Sequence, residues 1–195
     1  MNSRNHAGIS LVEILVVLVL VIVLISLMRP SIGNGLSKGG MTQTLSNMKQ
    51  LHLATQQMAL DGVTTGDTNL GWPGDTGGTF YNWMTPLLGG GYLTTNDVYK
   101  LLSAPGIIVG PKTPLTATNT ALLIYAVSTN LPGSAVFLST ANFTNNSTGG
   151  IFNPSAKPYG KKGFAVFRQG GDGAILQPRH AGQTNVIGSF APLCR

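Results

Sequence analysis

Gly8-Ile9-Ser10-Leu11-Val12-Glu13 opens the stretch that decides the architecture, and Ser26-Leu27-Met28-Arg29-Pro30 closes it. Every position from 9 to 28 is apolar except Ser10, Glu13 and Ser26, and residues 14–25 form an unbroken apolar run. A helix of twenty such residues reaches about 30 Å, the thickness of a bilayer's hydrocarbon core. A removable secretory signal would be shorter and would leave through small residues. The sequence after Ile25 offers no such exit, so the expectation is a retained, single-pass membrane anchor. Arg4 precedes the run while Arg29 and Lys38 follow it, and flanking charge does not settle its orientation.

Working outward, the 195 residues allow one ordinary domain beyond this segment. Only 9% of them are charged and 43% are hydrophobic, so a core can form beneath a surface of Thr, Ser, Asn and Gly. This balance argues against charge-driven disorder and against a coiled coil with charged flanks. Twelve basic and six acidic side chains give a net charge of +6, which permits anionic partners without requiring them. The charge is uneven: residues 61–100 hold Asp61, Asp67, Asp75 and Asp97 against Lys100, whereas residues 101–195 hold seven basic side chains against Asp172. Such a division suits either self-association or two solvated faces. A single cysteine, Cys194, excludes an intrachain disulfide. With three histidines beside that lone thiol, a structural zinc site is not expected.

Glu13 admits two readings. Ser10-Leu11-Val12-Glu13 has the spacing of a capping box, in which the two side chains satisfy each other's orphan amides. The second reading comes from context. The leader with Arg4, followed by Gly8-Ile9-Ser10-Leu11-Val12-Glu13, the apolar run and Pro30, resembles the prepilin processing motif of type IV pilins and type II secretion pseudopilins. Ile9 stands where the family usually has Phe, and Val12 where it usually has Ile. The resemblance implies cleavage by a prepilin peptidase between Gly8 and Ile9, methylation of the new amino terminus, and an assembly role for Glu13 and Pro30. It further implies a bacterial inner-membrane location, single-pass, with the head on the periplasmic side before incorporation into a pseudopilus or pilus. The implied partners are further copies of the chain, the peptidase, the membrane, and an inner-membrane assembly platform with its ATPase. Nucleic acid is not among them.

Pro30 cannot donate a backbone hydrogen bond, and Gly33, Gly35, Gly39 and Gly40 follow it, so a helix would kink or loosen here. A second helical pattern covers residues 41–59, with Leu45, Met48, Leu51 or His52, Thr55 and Met58 on one stripe and Asp61-Gly62 as its stop. Short helices are expected over 79–88 and 95–103, the second capped by Thr94 or Thr95 and ended by Ala104-Pro105-Gly106. Trp72, Tyr81, Trp83, Tyr92 and Tyr99 are expected to cover the long helix as core. Residues 121–128 and 135–143 read as one antiparallel hairpin, and 163–168 with 174–176 as another across Gly170-Gly171-Asp172-Gly173. The fold class is therefore α+β: a long N-terminal helix with an apolar first half, and a C-terminal antiparallel sheet packed on its second half, as in pilins. The organisation expected is a leader (1–8), a transmembrane and assembly helix (9–29), a kinked second half (30–60) and a globular head (61–195).

The glycine-rich turn at 170–173 lacks the Lys-Ser/Thr pair and following helix of a phosphate loop. Phe167-Arg168-Gln169-Gly170-Gly171-Asp172-Gly173 instead resembles a strand-turn near the carboxy terminus of major pseudopilins, a subgroup without the pilin disulfide that often binds calcium there. That resemblance makes Asp172 an acidic calcium ligand. Thr184 and Asn185 replace the aspartates expected downstream, and calcium wants six to eight oxygens, carboxylates among them, so binding would be weak. No nucleophile motif or metal-ligand spacing supports an enzyme. The expected function is a structural filament subunit. Its rivals are a minor pilin acting at a tip, in adhesion or on DNA through Lys157, Lys161, Lys162, Arg168 and Arg179, and a carbohydrate-binding module using Trp72 and Trp83.

Overall fold

The computed structural model describes residues 11–194 apart from position 113, and the side chains of residues 27–36 are outside the description. The chain divides into two compact units, the first ending at Lys38 and the second running Gly39–Arg195. Helix α1, Leu11–Thr65, contributes to both. Its helical assignment continues through Pro30 and the glycines that follow. In the first unit every residue from 11 to 26 is exposed.

In the second unit α1 becomes a core helix. Met41, Thr44, Met48, Leu51, Thr55 and Met58 are all buried and recur at three- or four-residue steps, one face of a 3.6-residue helix. Burying each large apolar side chain contributes about 1.5–3 kcal/mol. The expected stop at Asp61-Gly62 does not occur, and the helix continues one further turn to Thr65. Gly62 is there for another reason: a Cβ at this position would lie 2.1 Å from the carbonyl oxygen of Leu70. The glycine lets the returning chain lie directly on the helix.

Two short helices follow as expected. Helix α2, Phe80–Gly89, begins where Thr79 accepts a hydrogen bond from the Asn82 amide. Helix α3, Thr95–Leu101, begins with a complete capping box between Thr94 and Asp97. The hydrogen bonds from Thr94 hold the Asp97 carboxyl below its ordinary pKa. The buried faces of both helices, including Trp83, Leu87 and Val98, join Met48, Leu51 and Met58 in one core.

The sheet has four antiparallel strands: β1 (Leu122–Ile124), β2 (Val136–Thr140), and, beyond two further strands, β5 (Phe164–Arg168) and β6 (Gly173–Leu176). Their spatial order is β1-β2-β5-β6. Leu122 faces Thr140 and Phe164 faces Leu176 across the two expected hairpins. The β2–β5 register shifts at Phe137, between Val136 and Leu138. A second, two-stranded ladder of β3 (Phe143–Asn146) and β4 (Gly149–Phe152) intervenes in sequence. Phe143 stacks on Phe164 with centroids 4.1 Å apart. A short helix α4, Thr184–Ile187, lies near the carboxy terminus.

The fold class is thus α+β, with the N-terminal helix and a C-terminal antiparallel sheet. The expected membrane anchor is not sustained. Among the described residues no helix is long and apolar enough to cross a membrane. Glu13 and Ser26 bound an unbroken apolar run of twelve residues, 14–25, which spans about 18 Å rather than the ~30 Å a bilayer needs. The inner-membrane, single-pass location with a periplasmic head is corrected accordingly.

Candidate assembly site

Gly8 and Ile9, the residues at the expected cleavage point, lie outside the described residues, as does Ser10, the other half of the capping box. Glu13 lies in the first turn of α1 and is exposed. With Ile14, Val17, Leu18 and Val21 it lines a shallow groove along one helix face. The remaining faces are no more polar: Leu11, Val12 and each residue from Ile14 to Ile25 expose between 46% and 79% of their surface. This segment has no polar side to turn towards water. Pro30 lies within α1 in a stretch whose side chains lie outside the description.

Asp172 occupies the β5–β6 turn expected for it. The Gly171 amide donates to the Arg168 carbonyl (3.0 Å) and the Arg168 amide to the Asp172 carbonyl (2.8 Å). Gly171 takes φ = 92°, a conformation that favours glycine. The partner of the Asp172 carboxylate is the Arg168 guanidinium, a residue that sequence reasoning did not single out for this role. The same guanidinium donates through Nε to the Ile187 carbonyl (2.8 Å) and through Nη2 to the Val186 carbonyl. One cation therefore gathers three oxygens from the turn and from α4. Among the described residues no group of three His, Cys, Asp or Glu side chains could hold a metal ion. Thr184 and Asn185, which stand where the resemblance expects aspartates, form the first turn of α4.

Trp83 is fully buried and donates from Nε1 to Thr55 Oγ1 (3.2 Å), while Trp72 is buried against Phe137 and His52. Neither indole presents a face to a sugar. His52, also buried, donates from Nε2 to the Gln169 carbonyl (2.7 Å) and packs among Trp72, Phe137 and Phe167. Arg168 is engaged internally, whereas Lys157, Lys161, Lys162 and Arg179 are exposed.

Tyr159 is a second residue that the sequence did not flag. Its hydroxyl donates to the Gly40 carbonyl (2.7 Å) and accepts from Thr44 Oγ1 (2.6 Å), fixing the loop before β5 onto α1. Burial pushes its phenol above the ordinary tyrosine pKa. Only the general excess of aromatic residues near buried positions could have drawn attention to it. Compared with known proteins, the chain matches no family model, no curated protein and no solved structure.

Proposed function

We propose that this chain is a structural subunit of a pilus-like or pseudopilus-like filament, processed after Gly8 by a prepilin peptidase and polymerised through the apolar start of α1. One observation carries the reading: fourteen large apolar side chains on all faces of the helix, from Leu11 to Ile25, are exposed in the single chain. A helix that is apolar all round belongs in an interior. At about 1.5–3 kcal/mol per side chain, covering that surface is worth tens of kcal/mol before ordering costs. A bundle of the same helices from neighbouring copies offers the cover.

Glu13 then sets the register. Cleavage leaves a cationic amine on Ile9, and the Glu13 carboxylate of one copy can pair with the Ile9 amine of the next. A misregistered bundle leaves that carboxylate buried without a partner, which costs about 3–5 kcal/mol. The partners in this reading are further copies, the peptidase, and an assembly platform with its ATPase. The resemblance to pilins, with a long amino-terminal helix and a sheet on its second half, belongs to the same proposal. No chemistry is assigned to the head.

The test is the mature amino terminus together with one variant. Assembled material should begin at Ile9, and retention of Met1 throughout fully formed fibres overturns the proposal. Glu13→Ala should be processed normally yet yield few filaments on sedimentation and electron microscopy; a normal yield removes the register role.

A further inference from the structure

Residues 142–148 hold three overlapping Asn-x-Ser/Thr tripeptides, beginning at Asn142, Asn145 and Asn146, while the proline of Asn153-Pro154-Ser155 spoils a fourth. This tripeptide is the acceptor pattern for sugar linked to asparagine, a bulky group that only a surface site can hold. The pattern is frequent by chance in a stretch so rich in Asn and Thr, and the fold decides among the three.

Two of them are closed. Asn142 is 1% exposed, and its Nδ2 donates to the carbonyls of Gly163 (2.8 Å) and Gly160 (3.2 Å). Asn145 is 3% exposed, and its Nδ2 donates to the Ser189 carbonyl (3.2 Å). A sugar on either nitrogen would break a buried contact and find no room. Successive residues of a strand point to opposite faces, so the residue after Asn145 is turned outward. Along β3 the burial alternates accordingly, with Phe143 and Asn145 buried and Thr144 and Asn146 partly exposed.

Asn146 is the open one. It pairs with Gly149 across a two-residue turn, Ser147-Thr148, whose members are both exposed. Its Oδ1 accepts from the Thr148 amide and from Thr148 Oγ1, each at 3.0 Å, and its Nδ2 makes no hydrogen bond among the described residues. The hydroxyl that completes the tripeptide thus already touches the side chain that would react. An amide nitrogen is a weak nucleophile because its lone pair is shared with the carbonyl. Two donors on Oδ1 stabilise the negative charge that gathers there as a proton leaves Nδ2, which eases that departure.

We propose that Asn146 is a glycosylation site, taking a sugar from a donor activated at its anomeric carbon by a diphosphate. Nδ2 forms a bond to the anomeric carbon, and the bond from that carbon to the diphosphate oxygen breaks with its electron pair. The Nδ2 proton passes to a base of the transferase, and nothing is oxidised or reduced. Ile151, the register partner of Thr144 and 63% exposed, lies diagonally across from Asn146 on the same face of the hairpin, roughly 7–8 Å away in a ladder of this kind. A sugar there covers an aliphatic side chain and hydrates a surface with few charges. The inference does not depend on the filament reading and neither stands nor falls with it.

Mass spectrometry of the full chain, purified from the cells that make it, tests the site. The peptide containing residues 142–148 should carry extra mass in whole sugar units. Asn146→Asp keeps the oxygen that Thr148 bonds and removes only the reactive nitrogen, so it should leave the thermal melt unchanged and abolish the extra mass. Thr148→Ala should also abolish it, whereas Thr148→Ser should retain it. Thr144→Ala and Ser147→Ala, which spoil only the tripeptides of Asn142 and Asn145, should retain it as well. Should Asn146→Asp shift the melt, the comparison of Thr148→Ala with Thr148→Ser carries the test. Transfer to unmodified chain by washed membranes marks a lipid-linked donor, and transfer by soluble extract with nucleotide sugars a nucleotide-linked one; either upholds the site. Absence of sugar from the wild type overturns the proposal, as does its loss in Thr144→Ala or Ser147→Ala. Sugar that persists in Asn146→Asp but vanishes in Thr148→Ala overturns it too, since the hydroxyl is then the point of attachment.

Discussion

Two stretches of the same helix have opposite fates. Residues 11–25 are almost wholly apolar and every one is exposed, whereas residues 41–58 alternate polar and apolar and bury one face completely. The second stretch is less hydrophobic yet better covered. Amphipathic spacing lets a helix find cover within its own chain, because the polar face can remain in water while the other packs. A helix apolar on every side has nothing to turn outward, and its stability must come from other molecules. In the proposed filament, one element serves folding with its second stretch and assembly with its first.

That contrast breaks most sharply at Trp83, whose indole touches α1 through Thr55. Trp83→Ala should cost about 3–5 kcal/mol in chemical denaturation; a loss below 1 kcal/mol would mean that the second stretch is not the folding half. Arg168→Ala comes next, at roughly 1.5–3 kcal/mol, since it frees the Val186 and Ile187 carbonyls and the Asp172 carboxylate together. Added calcium should not restore that loss, and a calcium-dependent rise in the melting temperature would revive the metal reading of Asp172.

A smaller effect is set by pH. Burial pushes the Cys194 thiol from its usual 9.0 up to about 12. Between those values the unfolded chain has released the proton and the folded one has not. Stability should therefore fall as pH rises through this window, by up to about 1.4 kcal/mol per pH unit. Cys194→Ala should flatten the slope without abolishing it, because buried Tyr125 and Tyr159 are raised in the same direction. Smallest of all is Leu18→Ser. It should change the unfolding free energy by less than about 0.5 kcal/mol while sharply reducing filament yield. A large loss of folding stability would show that the first stretch is covered within the chain after all.

Much of this arrangement could be read from the residues themselves. Thr79 and Thr94 announce α2 and α3 because a threonine oxygen before an apolar-periodic run has a specific amide to satisfy. Both hairpins of the main sheet followed from alternation interrupted by glycine. The β3–β4 ladder did not, since Thr144-Asn145-Asn146-Ser147-Thr148-Gly149-Gly150 looks like a polar loop. Its strands are specified by Phe143 stacking on Phe164, a contact between residues distant in sequence. Gly62 read as a helix stop because the carbonyl that demands it, that of Leu70, becomes its neighbour only after folding. The span was misjudged by counting apolar residues across Glu13 and Ser26. At the candidate site, Asp172 was legible from its turn, but its cationic partner was not: an arginine four residues away in a strand carries no label for where its side chain will bend.

The Arg168 clasp has a consequence for durability. A guanidinium cannot be titrated at any pH a protein survives, and no chelator can remove it. Tail and turn stay joined by a covalent part of the chain itself, with no dependence on what the surrounding medium supplies. A head closed in this way keeps its tail in place from dilute to mineral-rich water and in mild acid.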